Sequence, residues 1–262
     1  LGLVETFNIS LYFDFLRCIM KKPYIKRYGT FSNFTVWIVD GDYIRSTLDE
    51  EFTNFDHHYC SHFIPKNEFW IDKEYGKGEE RYYIDHMLVE YRLMADGKSY
   101  LEASHRAELI ERRERSKSEL LKKAIKKKMH RKDIIRKIHK TLLKKYSKTL
   151  KVWIVNGELV RDLFFVNFTE GGHDKVYSFI PENEIWIDDD VSPKERKFIL
   201  LHELHERNLM LQGWSYDLPK KGVHGKRSLK SAHFSASELE YFCRHHPQQT
   251  DKKIMEELEK LG

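Results

Sequence analysis

The chain has 262 residues, with 46 Lys and Arg, 41 Asp and Glu and a net charge of +5. Hydrophobic residues make up 40% and aromatics 13%, enough to bury a core in one or two domains. Its three cysteines, Cys18, Cys60 and Cys243, form no CxxC pair, which excludes a disulfide framework and a cysteine-type zinc site; a reduced, cytoplasmic setting is expected.

The stretch Leu1–Met20 is fairly apolar but carries Glu5, Asp14 and Arg17. It lacks a basic lead-in and a small-residue cleavage site, so an amphipathic helix is expected there rather than a secretory signal. No run of 18 apolar residues occurs, and no membrane span is expected. Residues 1–34 are assigned to this helical extension.

From Thr35 onward the sequence repeats itself. Val36-Trp37-Ile38-Val39-Asp40-Gly41 returns as Val152-Trp153-Ile154-Val155-Asn156-Gly157, an offset of 116. That offset holds without a gap from Thr35 to Tyr100, with 26 of 66 positions identical. Such self-similarity marks an internal duplication.

Both copies carry the same signals. Asp40-Gly41 and Asn156-Gly157 stand between β-type runs, which predicts a β-hairpin. A third strand is expected at Glu68–Asp72 and at Glu184–Asp188. A helix then runs from about Glu79 to Asp96, ended by Gly97, and from about Ser192 to Gln212, ended by Gly213. A second helix follows Tyr100 in the first copy and begins near Ser231 in the second.

The expected fold class is therefore α+β, a tandem duplication of a small hairpin–strand–helix–helix module. The first copy spans 35–112, the second 150–246, and residues 247–262 form a C-terminal helix. The copies are expected to pack as a pseudo-dimer about a two-fold axis.

Residues 113–149 form a basic linker. Between Ser116 and Lys148, 14 Lys or Arg face two acids, Glu119 and Asp133. Leu120, Leu121, Ala124, Ile125, Ile134, Ile135, Ile138 and Leu142 recur at helical spacing, which predicts one long helix or two shorter ones with a packed face. Lys122, Lys123, Lys126, Lys127, Arg131 and Lys137 could neutralise nucleic-acid phosphates; the bland alternative is a solvated face balancing acidic modules. Tyr146 is the only aromatic there, so base stacking has little support.

The chemistry-bearing pattern is Leu201-His202-Glu203-Leu204-His205-Glu206. His202 and Glu206 are four apart and share a helix face, so both can reach one metal ion. Glu203 follows the first ligand directly, where the H-E-x-x-H helix of zincin peptidases places its general base. Glu206 replaces the second His of that pattern, and zinc accepts carboxylate oxygen. An ordinary i,i+4 helix pair would place the same two residues. A further ligand is sought in His233 of the following helix, with His173 as an alternative or fourth ligand. Four protein ligands would close the site and make it structural.

The first copy offers His57, His86, Glu90 and, allowing for an insertion in the second copy, His105 in the matching places. Glu203 is matched by Met87, so the first copy is expected to bind or fold without catalysing. GGHDKVYSFIPENEIWIDDD, LLHELHERNLM and SAHFSASELE resemble a family of short prokaryotic and phage proteins with no established activity, and more distantly minimal zincin-like metallopeptidases. That resemblance implies that the same His and Glu positions matter; zinc is the metal expected of such a site. The expected function is a zinc hydrolase of peptide or amide bonds with one intact and one degenerate site. The alternative is a non-catalytic nucleic-acid-binding or structural protein.

Overall fold

The computed structural model describes residues 23–49, 51–74, 77–125, 129–216 and 231–261. The expected helix at Leu1–Met20 and the linker residues Lys126 and Lys127 lie outside the described residues.

The apolar runs of each half build one four-stranded mixed sheet. In the first half β1 (Tyr24–Phe31) pairs antiparallel with β2 (Phe34–Val39), and β2 runs parallel to β4 (Glu68–Asp72). The short β3 (Phe55–His57) completes the order β1-β2-β4-β3. In the second half β5 (His139–Leu142), β6 (Lys151–Val155), β7 (Gly171–His173) and β8 (Glu184–Asp188) give the order β5-β6-β8-β7. Trp37 pairs with Trp70, and Trp153 with Trp186, at equivalent places in the two registers.

The expected hairpins are not there. A two-residue hairpin turn needs positive φ at its central residues, but Asp40 and Asn156 have φ −85° and −76°. Each instead caps a short helix, α1 (Gly41–Thr47) and α6 (Gly157–Leu163). Asn156 Oδ1 accepts from the Leu159 N–H at 2.7 Å, and Asp40 Oδ1 from the Tyr43 N–H at 3.4 Å. The glycine is needed for close approach: a Cβ on Gly157 would lie 1.9 Å from Asp188 Oδ2. Strand β2 or β6 therefore leaves the sheet through a helix, and its next neighbour returns parallel.

Helices α2 (Glu80–Ala95) and α3 (Tyr100–Arg115) follow in the first half, with Gly97 at φ +85° closing α2. Their counterparts are α7 (Arg196–Leu211), closed by Gly213 at φ +89°, and α8 (Ala232–His245), followed by α9 (Thr250–Glu259). Alternation along β8 separates two cores. Ile185 and Ile187 pack with Phe198, Leu201 and Leu204 of α7, while Trp186 packs on the other face with Val155, Phe168 and Ile180. Each such buried side chain stabilises the fold by about 1.5–3 kcal/mol relative to exposure.

The basic segment forms two short helices, α4 (Glu119–Ala124) and α5 (Arg131–Ile138), and then strand β5. Ile135 and Ile138, with Leu121, Ala124 and Ile134, join the Trp186 core, so the expected apolar face is packed. Strand β5 ends the helical reading at Ile138: His139 takes extended φ/ψ and its ring stacks on Trp153 at 4.2 Å. Strands β1 and β5 thus extend each sheet upstream of residues 35 and 150, and α3 runs past residue 112.

The halves meet through reciprocal buried ion pairs. Arg161 binds its own Asp188 and also Glu79 of the first half, with Nε to Glu79 Oε1 at 2.9 Å. Arg45 binds its own Asp72 at 2.7 Å and lies 3.5 Å from Glu195 of the second half. Arg115 completes the first set on Glu79, and Arg244 the second on Glu195 at 2.6 Å. Among the described residues no helix is long and apolar enough to cross a membrane.

Candidate metal centre

Helix α7 presents three polar side chains on the face beside its apolar stripe. Glu203 is 9% exposed, Glu206 is buried, and the His202 side chain is 12% exposed. Helix α8 begins after Ser231, whose Oγ accepts from the Phe234 N–H at 3.1 Å, and its first turn brings His233 over α7. His173, at the end of edge strand β7, approaches from the other side.

Three donor atoms converge. His233 Nδ1 lies 2.8 Å from Glu206 Oε2 and 3.2 Å from His202 Nε2, and His202 Nε2 lies 3.6 Å from Glu206 Oε2. Ligands on a tetrahedral ion with bonds of about 2.0–2.1 Å stand about 3.3 Å apart, so this triangle has the size of one face of a zinc site.

The surrounding bonds fix which nitrogen faces inward. His202 Nδ1 lies 2.9 Å from Glu240 Oε2 of α8 and donates to it, so the Nε2 lone pair faces the centre. His233 Nε2 lies 3.1 Å from Glu51 Oε2, which the first half supplies, so Nδ1 faces the centre. Arg244 clamps Glu240 through Nε at 2.9 Å and Nη2 at 2.7 Å. Carboxylates behind ligating imidazoles are the usual way to orient them and raise their basicity. Two inward lone pairs and a carboxylate repel one another unless a cation lies between them, either a proton or a metal.

The electrostatics express that demand. Burial alone would raise the Glu206 carboxyl, but hydrogen bonds from His173, His202 and His233 outweigh it and hold it well below the usual carboxylate range. Burial opposes protonation of His202, yet Glu206 and Glu240 push its imidazole well above its ordinary value. His233, likewise opposed by burial, is raised to about 9 by Glu206 and Glu51. Glu203 goes the other way: burial first, then the Glu206 charge, push it up to about 8.

His173 is brought to the site but differs from the other two histidines. The Lys175 N–H donates to its Nδ1 at 3.1 Å, which places the ring proton on Nε2. That Nε2–H donates to Glu206 Oε1 at 2.9 Å. His173 therefore presents no lone pair to the centre and orients Glu206 instead. His205 points away, held by Glu257 at 2.8 Å and by Ser235 at 3.2 Å. Glu203, Tyr177, Gly171, Gly172 and Tyr216 line a cavity of about 90 Å³ beside the triangle, space for about three waters.

The first half repeats part of this arrangement. His86 Nδ1 lies 2.7 Å from Glu111 Oε2, Arg115 holds Glu111 at 2.7 Å, and His57 Nε2 lies 3.2 Å from Glu90 Oε2. His105 does not take part: it is exposed on α3. Glu240 and Arg244 stand 129 positions after Glu111 and Arg115, and 129 before His233 stands Ser104. The first half thus has serine where the second has its third donor, and the buried Met87 where the second has Glu203.

The basic residues are only partly free. Lys122 pairs with Glu119 at 2.7 Å, and Arg131 donates to the carbonyls of Ser178 at 3.0 Å and Phe179 at 3.2 Å. Lys123 and Lys137 are exposed. Sequence reasoning missed Glu240 and Glu51. The i,i+4 pair Glu240–Arg244, repeated as Glu111–Arg115, was a readable signal for the first; Glu51 acts across the halves and carried none. No family model matches the sequence, and neither a curated protein nor a solved structure matches it.

Proposed function

We propose that the chain is a zinc-dependent hydrolase of peptide or amide bonds, with one catalytic centre in the second half. One observation carries this reading: His202 Nε2, His233 Nδ1 and Glu206 Oε2 lie within 3.6 Å of one another, and carboxylates behind both imidazoles turn the lone pairs inward. The ion would be held by these three atoms, with a fourth position open to the cavity. A divalent cation there polarises a carbonyl and acidifies water.

The chain's own groups do the rest. Glu203 lines the cavity, and burial with the neighbouring Glu206 charge pushes its carboxyl up to about 8, which makes it a stronger base that can take a proton from water and return it to a leaving amine. His173 fixes the Glu206 carboxylate from behind. Strand β7, last in the sheet order and buried along its length, borders the cavity through Gly171 and Gly172, which leaves room there for the backbone of a substrate. The 26 identities and the reciprocal arginines support descent by duplication, with the base and third donor lost from the first half.

Chelation tests the reading. Hydrolysis of unstructured peptides by the purified chain should stop after dialysis against a chelator and return on adding zinc. Hydrolysis untouched by chelation, or none at all in zinc-loaded protein, would remove it. Glu240→Gln keeps the size of the side chain but weakens its grip on His202. Zinc affinity, read by competition with a chromophoric chelator, should fall about 10–100-fold.

A further inference from the structure

The first half holds a larger cavity, about 280 Å³, where the second half has its compact metal centre. Ser104 in place of the His233 ring helps to open it. Its walls carry the hydroxyls of Thr53, Tyr100, Ser104 and Thr169 and, beside them, two buried acceptors without a partner. Glu90 is 5% exposed, and its Oε1 has no hydrogen-bond partner. Asn54 Oδ1 is buried and likewise without a partner, because the amide uses Nδ2 on Tyr83. His86 spends its Nδ1 proton on Glu111, so its Nε2 lone pair is left. Unpaired buried acceptors call for a ligand that brings donors and positive charge.

Asp56, His57 and Cys60 bring ligand atoms within 4.8 Å of one another at one wall, but the acceptors around Glu90 are spaced too widely to share one ion. His86 Nε2 and Cys60 Sγ each stand 4.0 Å from Glu90 Oε2, wider than the roughly 3.3 Å edges of a zinc site. An ammonium group has three donors and fits the spread acceptors better.

The two cavities share Glu51, Thr53 and Thr169 in their walls, so they adjoin. We propose that the first half's cavity is a recognition pocket for a primary ammonium group, a lysine side chain or peptide amino terminus, on the substrate engaged by the second half. The catalytic part of that statement rests on the hydrolase reading; the binding part does not.

Calorimetry with the full chain separates the two. The probes are hexapeptides identical except for lysine or norleucine at one position, amino-terminally acetylated, plus the norleucine peptide with a free amino terminus. At least one ammonium-bearing peptide should bind ten-fold or more tightly than the acetylated norleucine peptide, the lysine and amino-terminal arms telling the two sources apart. Glu90→Gln should remove the preference with zinc content unchanged. Ser104→His, which rebuilds a ring in the pocket, should remove it too while leaving the peptide's uncharged contacts. Equal binding of all three peptides, a preference that survives both variants, or a second zinc per chain lost with Glu90→Gln would overturn the pocket. Preference without bound zinc would keep the pocket and remove the hydrolase reading.

Discussion

Glu203→Gln is expected to retain zinc and lose peptide hydrolysis by about 10²–10⁴-fold, the usual contribution of a positioned general base. The amide keeps the shape of the side chain on α7 and removes its basicity. Glu203 is not one of the three converging donors, so zinc content should stay at the wild-type value. That split between retained metal and lost turnover separates a base from a ligand. His202→Ala, which deletes a donor, should lose both together. If Glu203→Gln hydrolyses at the wild-type rate, Glu203 has another role, and the raised titration of its carboxyl reflects only burial beside Glu206.

Arg161→Met should cost about 3–5 kcal/mol of stability, measured by urea unfolding. Arg161 is fully buried and bridges Asp188 in its own half to Glu79 in the other. Removing the guanidinium strands the buried Asp188 and leaves Glu79 to Arg115 alone, and that uncompensated charge supplies most of the loss. Lys140→Met, at an exposed pair with Asp189, is the control and should change stability by less than about 0.5 kcal/mol. A loss under about 1 kcal/mol for Arg161→Met would mean that the halves do not depend on this network.

The chemistry of one helix was legible in the sequence, and the company it keeps was not. His202 and Glu206 follow from i,i+4 spacing, and His233 from the short list of further histidines. Glu240 and Glu51 reach those histidines from other elements, and no local period encodes them. Arg45, Asp72 and Glu79 recur as Arg161, Asp188 and Glu195 among the identities of the repeat. Their reason is a reciprocal contact between halves, visible only once the halves are folded together. Asn156-Gly157 misled because one side chain can serve two ends: the same Asn that favours a tight turn also caps a helix. Strand β5 was hidden in a lysine-rich run because it is an edge, where Lys140 and Thr141 face solvent. His105 was paired with His233 by counting across an insertion, and the Glu–Arg clamps shift that pairing by one residue, to Ser104.

X-ray absorption at the zinc edge of the purified chain, with metal content measured on the same sample, tests the centre most directly. One zinc per chain is expected, with two imidazole nitrogens and oxygen donors at about 2.0–2.1 Å and no sulfur. A chain that folds normally without retaining zinc, or a sulfur ligand, which would point to a cysteine such as Cys60 in the first half, would contradict a site built from His202, Glu206 and His233.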